Sequence, residues 1–66
     1  MIGKIAYIYQ KPLTDEQYEG KAKILEVVRK SSKGDPMMFC KVEFLDEPGA
    51  TYYRFIKDDP DYIFDK

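Results

Sequence analysis

The sequence predicts an all-β fold, a small antiparallel barrel of four to five strands with at most one short helical turn. Apolar and polar residues alternate with period two on both sides of the Pro-Gly pair at 48–49, which is typical of a β-hairpin. Polar clusters at residues 14–17 and 31–36 divide the rest into short extended pieces. The 66 residues suffice for a single domain, residues 1–66, with one small core.

The first predicted strand covers residues 4–9, where Ile5 and Tyr7 are expected to face the core. Residues 14–17 have the spacing of a helical capping box, with a hydroxyl at Thr14 and an amide at Gln17. Because Gly20 follows three residues later, we expect only one helical turn at this point.

The next strand, residues 21–28, changes phase at Leu25. A β-bulge near Leu25 would place Ala22, Ile24 and Val27 on one face and would coil the strand, as a small barrel requires. A helix over residues 22–29 is the alternative, although it would be short and would lack a strong cap after Gly20.

The sharpest turn signal is the pair Pro48 and Gly49. Pro48 presets φ for a type II turn, and Gly49 supplies the positive φ that the next position needs. A two-residue tip would pair Phe44 with Tyr53 and Val42 with Phe55.

This predicted register sorts the hairpin into two faces. A core face would carry Cys40, Val42, Phe44, Tyr53 and Phe55. The outer face would carry Leu45, Tyr52 and Ile56 beside a cross-strand ion pair between Glu43 and Arg54. Residues 31–36, which precede the hairpin, are predicted to form a loop. Residues 62–64, which follow it, are predicted to form either a closing strand or a final docked turn.

Three segments resemble an SH3-like small barrel of the KOW/Tudor kind: residues 18–24, with Gly20 before an alternating strand, residues 42–46, with a V-x-F-x-D pattern, and residues 52–56. The resemblance covers residues 18–56 and implies the fold, but it carries no function by itself. The chain has no Trp, so it departs from the peptide-binding SH3 pattern.

The residue inventory excludes several chemistries. The chain has no His and one Cys, so His-based triads, Cys–His dyads and Cys/His zinc sites are ruled out. The carboxylates at residues 58–61 and at Asp65 lack the spacing of a calcium loop and are interpreted as a solvated turn. Cys40 is interpreted as a core residue. We expect no enzyme activity, no cofactor and no metal.

The preferred function is protein binding, since ten aromatic residues (six Tyr and four Phe) exceed what so small a core can cover. Tyr and Arg are enriched at protein interfaces. We therefore expect an unknown protein partner to bind the outer aromatic face, whose candidate residues are Leu45, Tyr52, Arg54 and Ile56.

The alternative function is nucleic-acid binding through a basic strand made of Lys21, Lys23, Arg29 and Lys30. Residues 1–33 hold seven basic and four acidic groups, whereas residues 34–66 hold four basic and eight acidic groups. The net charge of −1 would make such binding weak and salt-sensitive.

A membrane is not expected as a partner, because no apolar run approaches the roughly 20 residues that a spanning helix needs. The single Cys and the lack of a secretory signal pattern near the N-terminus favour the cytoplasm.

Overall fold

The computed structural model describes residues 2–65. Its strands are β1 (Ile5–Lys11), β2 (Glu16–Arg29), β3 (Met37–Phe44), β4 (Thr51–Lys57) and β5 (Ile63–Phe64). They form one antiparallel sheet in the order β4-β3-β2-β1-β5. The all-β prediction is confirmed. The sheet is open, because β4 and β5 end it without pairing to each other. Across residues 2–65 there is no helix that could cross a membrane.

The predicted helical turn at residues 14–17 is wrong, because this segment joins β1 to β2 in a hairpin. The backbone N–H groups of Thr14 and Asp15 donate to the carbonyls of Lys11 and Pro12. Asp15 and Gln17 then adopt left-handed φ values of 55° and 59°. The polar residues therefore serve a tight turn, which Asp tolerates better than most residues.

The core face of β1 is the opposite of the predicted one. Ala6 and Ile8 are completely buried, whereas Tyr7 is only half-buried on the outer surface. A tyrosine that faces outward keeps its hydroxyl in contact with water. This orientation has the lower free energy where the core offers the hydroxyl no hydrogen-bond partner. Ile5 is buried as expected, beside β5, where its partner is Phe64.

The predicted strand over residues 21–28 is confirmed as part of β2, the helical alternative is wrong, and the predicted bulge is present. The register of β2 against β3 shifts between Ile24 and Glu26, which leaves Leu25 as the extra residue. Ala22 and Ile24 are fully buried, and Val27 packs against the same core. A second shift leaves Val28 as an additional bulge that was not predicted.

The turn at Pro48 and Gly49 forms as predicted, but the register of its hairpin differs. Gly49 has φ of 91°, and the Ala50 N–H donates to the Glu47 carbonyl at 3.2 Å. A second turn precedes it, closed by the Glu47 N–H on the Phe44 carbonyl at 3.1 Å. Two consecutive turns make a six-residue connection between β3 and β4 in place of the predicted two-residue tip.

The longer connection shifts the pairing by three residues. Tyr52 now faces Val42, and Tyr53 faces Lys41. Because side chains alternate along a strand, an odd shift turns every β4 side chain to the other face. Ile56 therefore lies in the core at 1% exposure, while Tyr53 and Phe55, predicted as core residues, are exposed.

The predicted Glu43–Arg54 ion pair is consequently wrong. Glu43 lies opposite Thr51, and its carboxylate accepts the Gly49 N–H at 2.7 Å. The observed core cluster lies on one side of the curved sheet, with contributions from all five strands. It contains Ala6, Ile8, Ala22, Ile24, Met38, Cys40, Val42, Phe44, Ile56 and Ile63.

Candidate protein-binding face

The outer surface of β3 and β4 carries three aromatic side chains that lie side by side. The ring centroids of Phe39 and Phe55 are 4.8 Å apart. Those of Phe39 and Tyr53 are 5.7 Å apart, with the ring planes inclined by 19°. Tyr53 and Phe55 keep 52% and 44% of their surfaces exposed. We call Phe39, Tyr53 and Phe55 the ring face.

Two cations lie next to the ring face. Arg29 is on β2, and its guanidinium carbon is 5.6 Å from the ring centroid of Phe55, within the range of a cation–π interaction. Lys41 is on β3 and points to the same side, between Glu26 of β2 and the β4 strand. Asp35 approaches Arg29 at 3.7 Å. The apolar surface is therefore bordered by charges of both signs, with the cations nearest the rings.

An open groove of about 400 Å³ continues the ring face toward the β1–β2 turn. Leu13, in that turn, is 69% exposed, so its side chain is accessible to a ligand in the groove. The groove is lined by Lys11, Pro12, Leu13, Thr14, Glu16, Met37 and Phe55. Its walls are mainly apolar, so it can accept a hydrocarbon or aromatic side chain.

Arg54 connects β4 to the distal part of the β1–β2 hairpin, residues 9–20, which we call the arm. Its Nε donates to Glu19 Oε1 at 2.7 Å, and its Nη2 donates to Oε2 at 3.3 Å. Its Nη1 also donates to the Tyr53 carbonyl at 2.9 Å. The hydrogen bonds from Arg54 hold the pKa of the Glu19 carboxyl below its usual value. This side-chain bridge spans the open side of the sheet.

A second bridge fixes the tip of the arm. The Tyr62 hydroxyl donates to Asp15 Oδ2 at 2.6 Å. The Lys57 ammonium donates to Asp15 Oδ1 at 3.2 Å and to the Tyr62 hydroxyl at 3.1 Å. These contacts, led by the Tyr62 hydrogen bond, lower the pKa of the Asp15 carboxyl. They also offset the cost of the left-handed φ at Asp15. The groove wall formed by the turn is thereby held in place.

The four residues predicted to bind protein are not gathered on one exposed face. Leu45 is exposed in the connection after β3. Tyr52 is half-buried with its ring 5.5 Å from that of Phe44. Arg54 is engaged in the bridge to the arm, and Ile56 is a core residue. The three-residue shift of β4 is the reason, since it exchanges the two faces of the strand.

The predicted basic residues are spread along β2. Lys21 lies 5.9 Å from the ring centroids of both Tyr7 and Phe64, on the half of the sheet away from the ring face. Lys23 lies opposite Glu43. Lys30 is exposed just after β2. Among the four, the structure brings Arg29 into contact with the ring face.

An aromatic cluster around β1 was not predicted from the sequence. The ring of Tyr9 lies 5.1 Å from that of Tyr18 and 6.2 Å from that of Tyr62. Tyr7 lies 5.1 Å from Phe64. The available signal was the spacing of Tyr7 and Tyr9 by two residues, which places both rings on one side of a strand.

Cys40 is a core residue, as predicted. It is completely buried, and burial raises the pKa of its thiol to about 11, so the nucleophilic thiolate is disfavoured at neutral pH. Within residues 2–65, His, Cys, Asp and Glu side chains form no group of three that could hold a metal ion.

Comparison of the chain with protein-family models, with curated proteins and with solved structures gave no match.

Proposed function

We propose that the chain is a small non-enzymatic module that binds another protein through the ring face. The observation that carries this proposal is the pair of exposed rings Tyr53 and Phe55, packed against Phe39 on the outside of the sheet. Among residues 2–65, folding has already supplied a separate core cluster of ten buried apolar residues. Contiguous exposed aromatic surface of this kind is typical of interaction sites.

Protein binding is the function that the sequence predicted, but the proposed binding face is a different one. The predicted outer face consisted of the even-numbered β4 residues with Leu45. The proposed face consists of the odd-numbered β4 residues with Phe39, because the register puts these outside. Arg29 replaces Arg54 as the basic residue at the interface, since Arg54 is already held by Glu19.

A binding role without catalysis is supported by the state of the nucleophile candidate. The Cys40 thiol is enclosed in the core, and the sequence supplies no His to activate it. We propose a cytoplasmic location as well, supported by this free cysteine. An SH3-like fold, with the barrel left open between β4 and β5, is proposed for the fold family. It is supported by the strand order and by the two bulges of β2 against β3, which coil that strand.

The test is affinity capture from cytosolic lysate with the tagged chain and two variants. The double variant Tyr53→Ser, Phe55→Ser removes two rings from exposed positions without opening the core. The matched control is Leu45→Ser, which removes an exposed apolar side chain that lies away from the ring face. We expect a protein that is retained by the wild type and by the control and is lost with the double variant. Equal retention by all three proteins would refute the proposal.

Nucleic-acid binding is the second candidate, because Arg29 and Lys41 flank rings on which bases could stack. A nuclease-treated half of the same lysate separates the candidates. Protein retention that survives nuclease supports the ring face as a protein site. Retention that disappears with nuclease, together with salt-dependent affinity for a labelled single-stranded oligonucleotide, would favour the basic strand and its KOW/Tudor-like use.

A further inference from the structure

We infer that the protein partner presents an acidic residue close to a large apolar residue. The apolar side chain occupies the groove beside Leu13, and the carboxylate lies against Arg29 and Lys41. This inference rests on the proposed function and adds the chemistry of the partner to it.

The groove defines the apolar half of the recognised motif. Pro12 and Leu13 form its wall on the arm, and Met37 and Phe55 form its wall on the sheet. The cavity of about 400 Å³ is wide enough for one large side chain with its backbone. It joins the ring face directly, because Phe55 belongs to both. One continuous ligand segment can therefore contact the two surfaces together.

Charge complementarity defines the acidic half. Cross-strand partners share a face, so the outer face of β2, β3 and β4 has three rows. They are Lys23–Glu43–Thr51, Glu26–Lys41–Tyr53 and Arg29–Phe39–Phe55. The row with two rings has a cation and no carboxylate, and the adjacent row places a second cation next to Tyr53.

Two carboxylates near this face, Glu43 and Asp35, are positioned less favourably for contact with a ligand at the rings. The third, Glu26, lies on β2 opposite Lys41, so that Lys41 stands between it and Tyr53 in the register. Glu43 is in the row farthest from Phe55, and its side chain accepts the Gly49 N–H. Asp35 approaches only one side of the Arg29 guanidinium at 3.7 Å, and a guanidinium has five N–H donors in all. An incoming carboxylate can therefore pair with Arg29 or Lys41 without displacing a hydrogen bond.

A peptide satisfies this arrangement better than a nucleic acid. The groove offers mainly hydrocarbon walls, which contribute little to the hydrogen-bonding edges of a base. Glu26 and Asp35 also lie among the cations, so a polymer with one negative charge on every unit would meet repulsion at both. A peptide can present one carboxylate to Arg29 or Lys41 and keep its other residues neutral.

The probe for this inference is a random library of 12-residue peptides displayed on phage and selected on the immobilised chain. We expect selected peptides in which Asp or Glu lies within three residues of Leu, Ile, Phe or Trp. A fluorescein-labelled synthetic peptide of the consensus, and the same peptide with each acid replaced by its amide, then give dissociation constants by anisotropy. The amide peptide should bind at least tenfold more weakly.

Variants of the chain assign the contacts of the consensus peptide. The double variant Arg29→Glu, Lys41→Glu should weaken the acidic peptide at least tenfold, and Leu13→Ser should weaken both peptides about fivefold. Lys21→Glu is the matched control, because it makes the same charge reversal on the other half of the sheet, and it should leave the affinity within twofold. Circular dichroism of each variant establishes that the fold is retained.

The outcomes separate this inference from the proposed function. Selected peptides that are basic or uncharged, and that still lose affinity with Tyr53→Ser, Phe55→Ser, would overturn the partner chemistry and leave the ring face as the binding site. Peptides unaffected by the ring variant would overturn both. A selection without any consensus, or tighter binding of a labelled 20-nucleotide single strand than of every selected peptide, would also overturn the inference.

Discussion

Arg54 and Glu19, 35 residues apart in the chain, are joined by two hydrogen bonds of 2.7 and 3.3 Å between guanidinium and carboxylate. This pair closes the side of the sheet that has no ladder, because β4 and the arm face each other there without pairing as strands. Arg54 also donates a hydrogen bond to the Tyr53 carbonyl, which points away from β3. A polar backbone group on the edge strand is therefore satisfied within the chain.

The first prediction concerns the contribution of this bridge to stability. Glu19→Gln keeps the shape of the side chain and removes its charge. The free energy of unfolding at pH 7 should fall by about 1–2 kcal/mol, as for a charge-assisted hydrogen bond that is only partly exposed to solvent. Urea denaturation measures the loss. Glu26→Gln, on an exposed β2 residue outside the bridge, is the control and should change stability by less than about 0.5 kcal/mol.

The same bridge predicts a pH dependence with a definite sign. The pKa of Glu19 is lowered in the folded state, chiefly by the hydrogen bonds from Arg54. The resulting stability is therefore present above the unfolded pKa and is lost as the pH falls through the folded pKa. The difference between wild type and Glu19→Gln should shrink as the pH falls below about 4, near the usual Glu value. A difference that grows on acidification would contradict this assignment.

The third prediction uses two adjacent residues of β4. Ile56→Ala should destabilise the fold by about 2–5 kcal/mol, because it leaves a cavity in the core. Phe55→Ala removes a larger side chain from an exposed position and should cost less than about 1.5 kcal/mol, mainly through lost ring contacts. Chemical denaturation of both variants compares them directly. The predicted two-residue hairpin tip would reverse the order, so a larger effect at Phe55 would contradict the observed register.

The fourth prediction concerns the turn before β4. Gly49 has φ of 91°, and a Cβ added there would meet no atom within 4 Å. The effect of Gly49→Ala is therefore confined to backbone strain and should be about 1–2 kcal/mol of destabilisation. Gly49→Asn should be milder, because Asn adopts left-handed conformations more readily. Thermal unfolding of the pair measures the difference, and equal melting temperatures for wild type and Gly49→Ala would be inconsistent with the turn.

Local patterns in the sequence predicted much of this fold. The bulge at Leu25 could be predicted because a change of phase in an apolar strand has few other solutions. The turn at Pro48 and Gly49 could be predicted because few residues fit a type II turn as well. In both places a short run of residues determines the local backbone conformation.

The candidate site could not be predicted, because it depends on how two turns combine. The bond that closes the first turn, from the Glu47 N–H to the Phe44 carbonyl, has no strong sequence signal. With this extra turn the connection between β3 and β4 has six residues in place of the predicted two, and the two faces of β4 are exchanged. Both possible faces of β4 are rich in aromatic and apolar residues, so alternation alone cannot identify the buried one. The ion pairs of the arm also could not be predicted, since the two residues of each pair are separated by 35 or 42 positions in the sequence.

The most direct test of the account is the register of β3 against β4, because that register decides which aromatic residues face outward. The Asp58 N–H donates to the Pro36 carbonyl at 2.8 Å. Pairs at even spacing from Pro36–Asp58 are thus hydrogen-bonded, and the pairs between them are the close ones, with Cα atoms about 4.5 Å apart. In a two-dimensional NOE spectrum recorded in D₂O, we expect strong Hα–Hα cross-peaks for Phe39–Phe55 and for Lys41–Tyr53. Cross-peaks for Val42–Phe55 or Phe44–Tyr53 in their place would turn the rings inward and remove the proposed binding face.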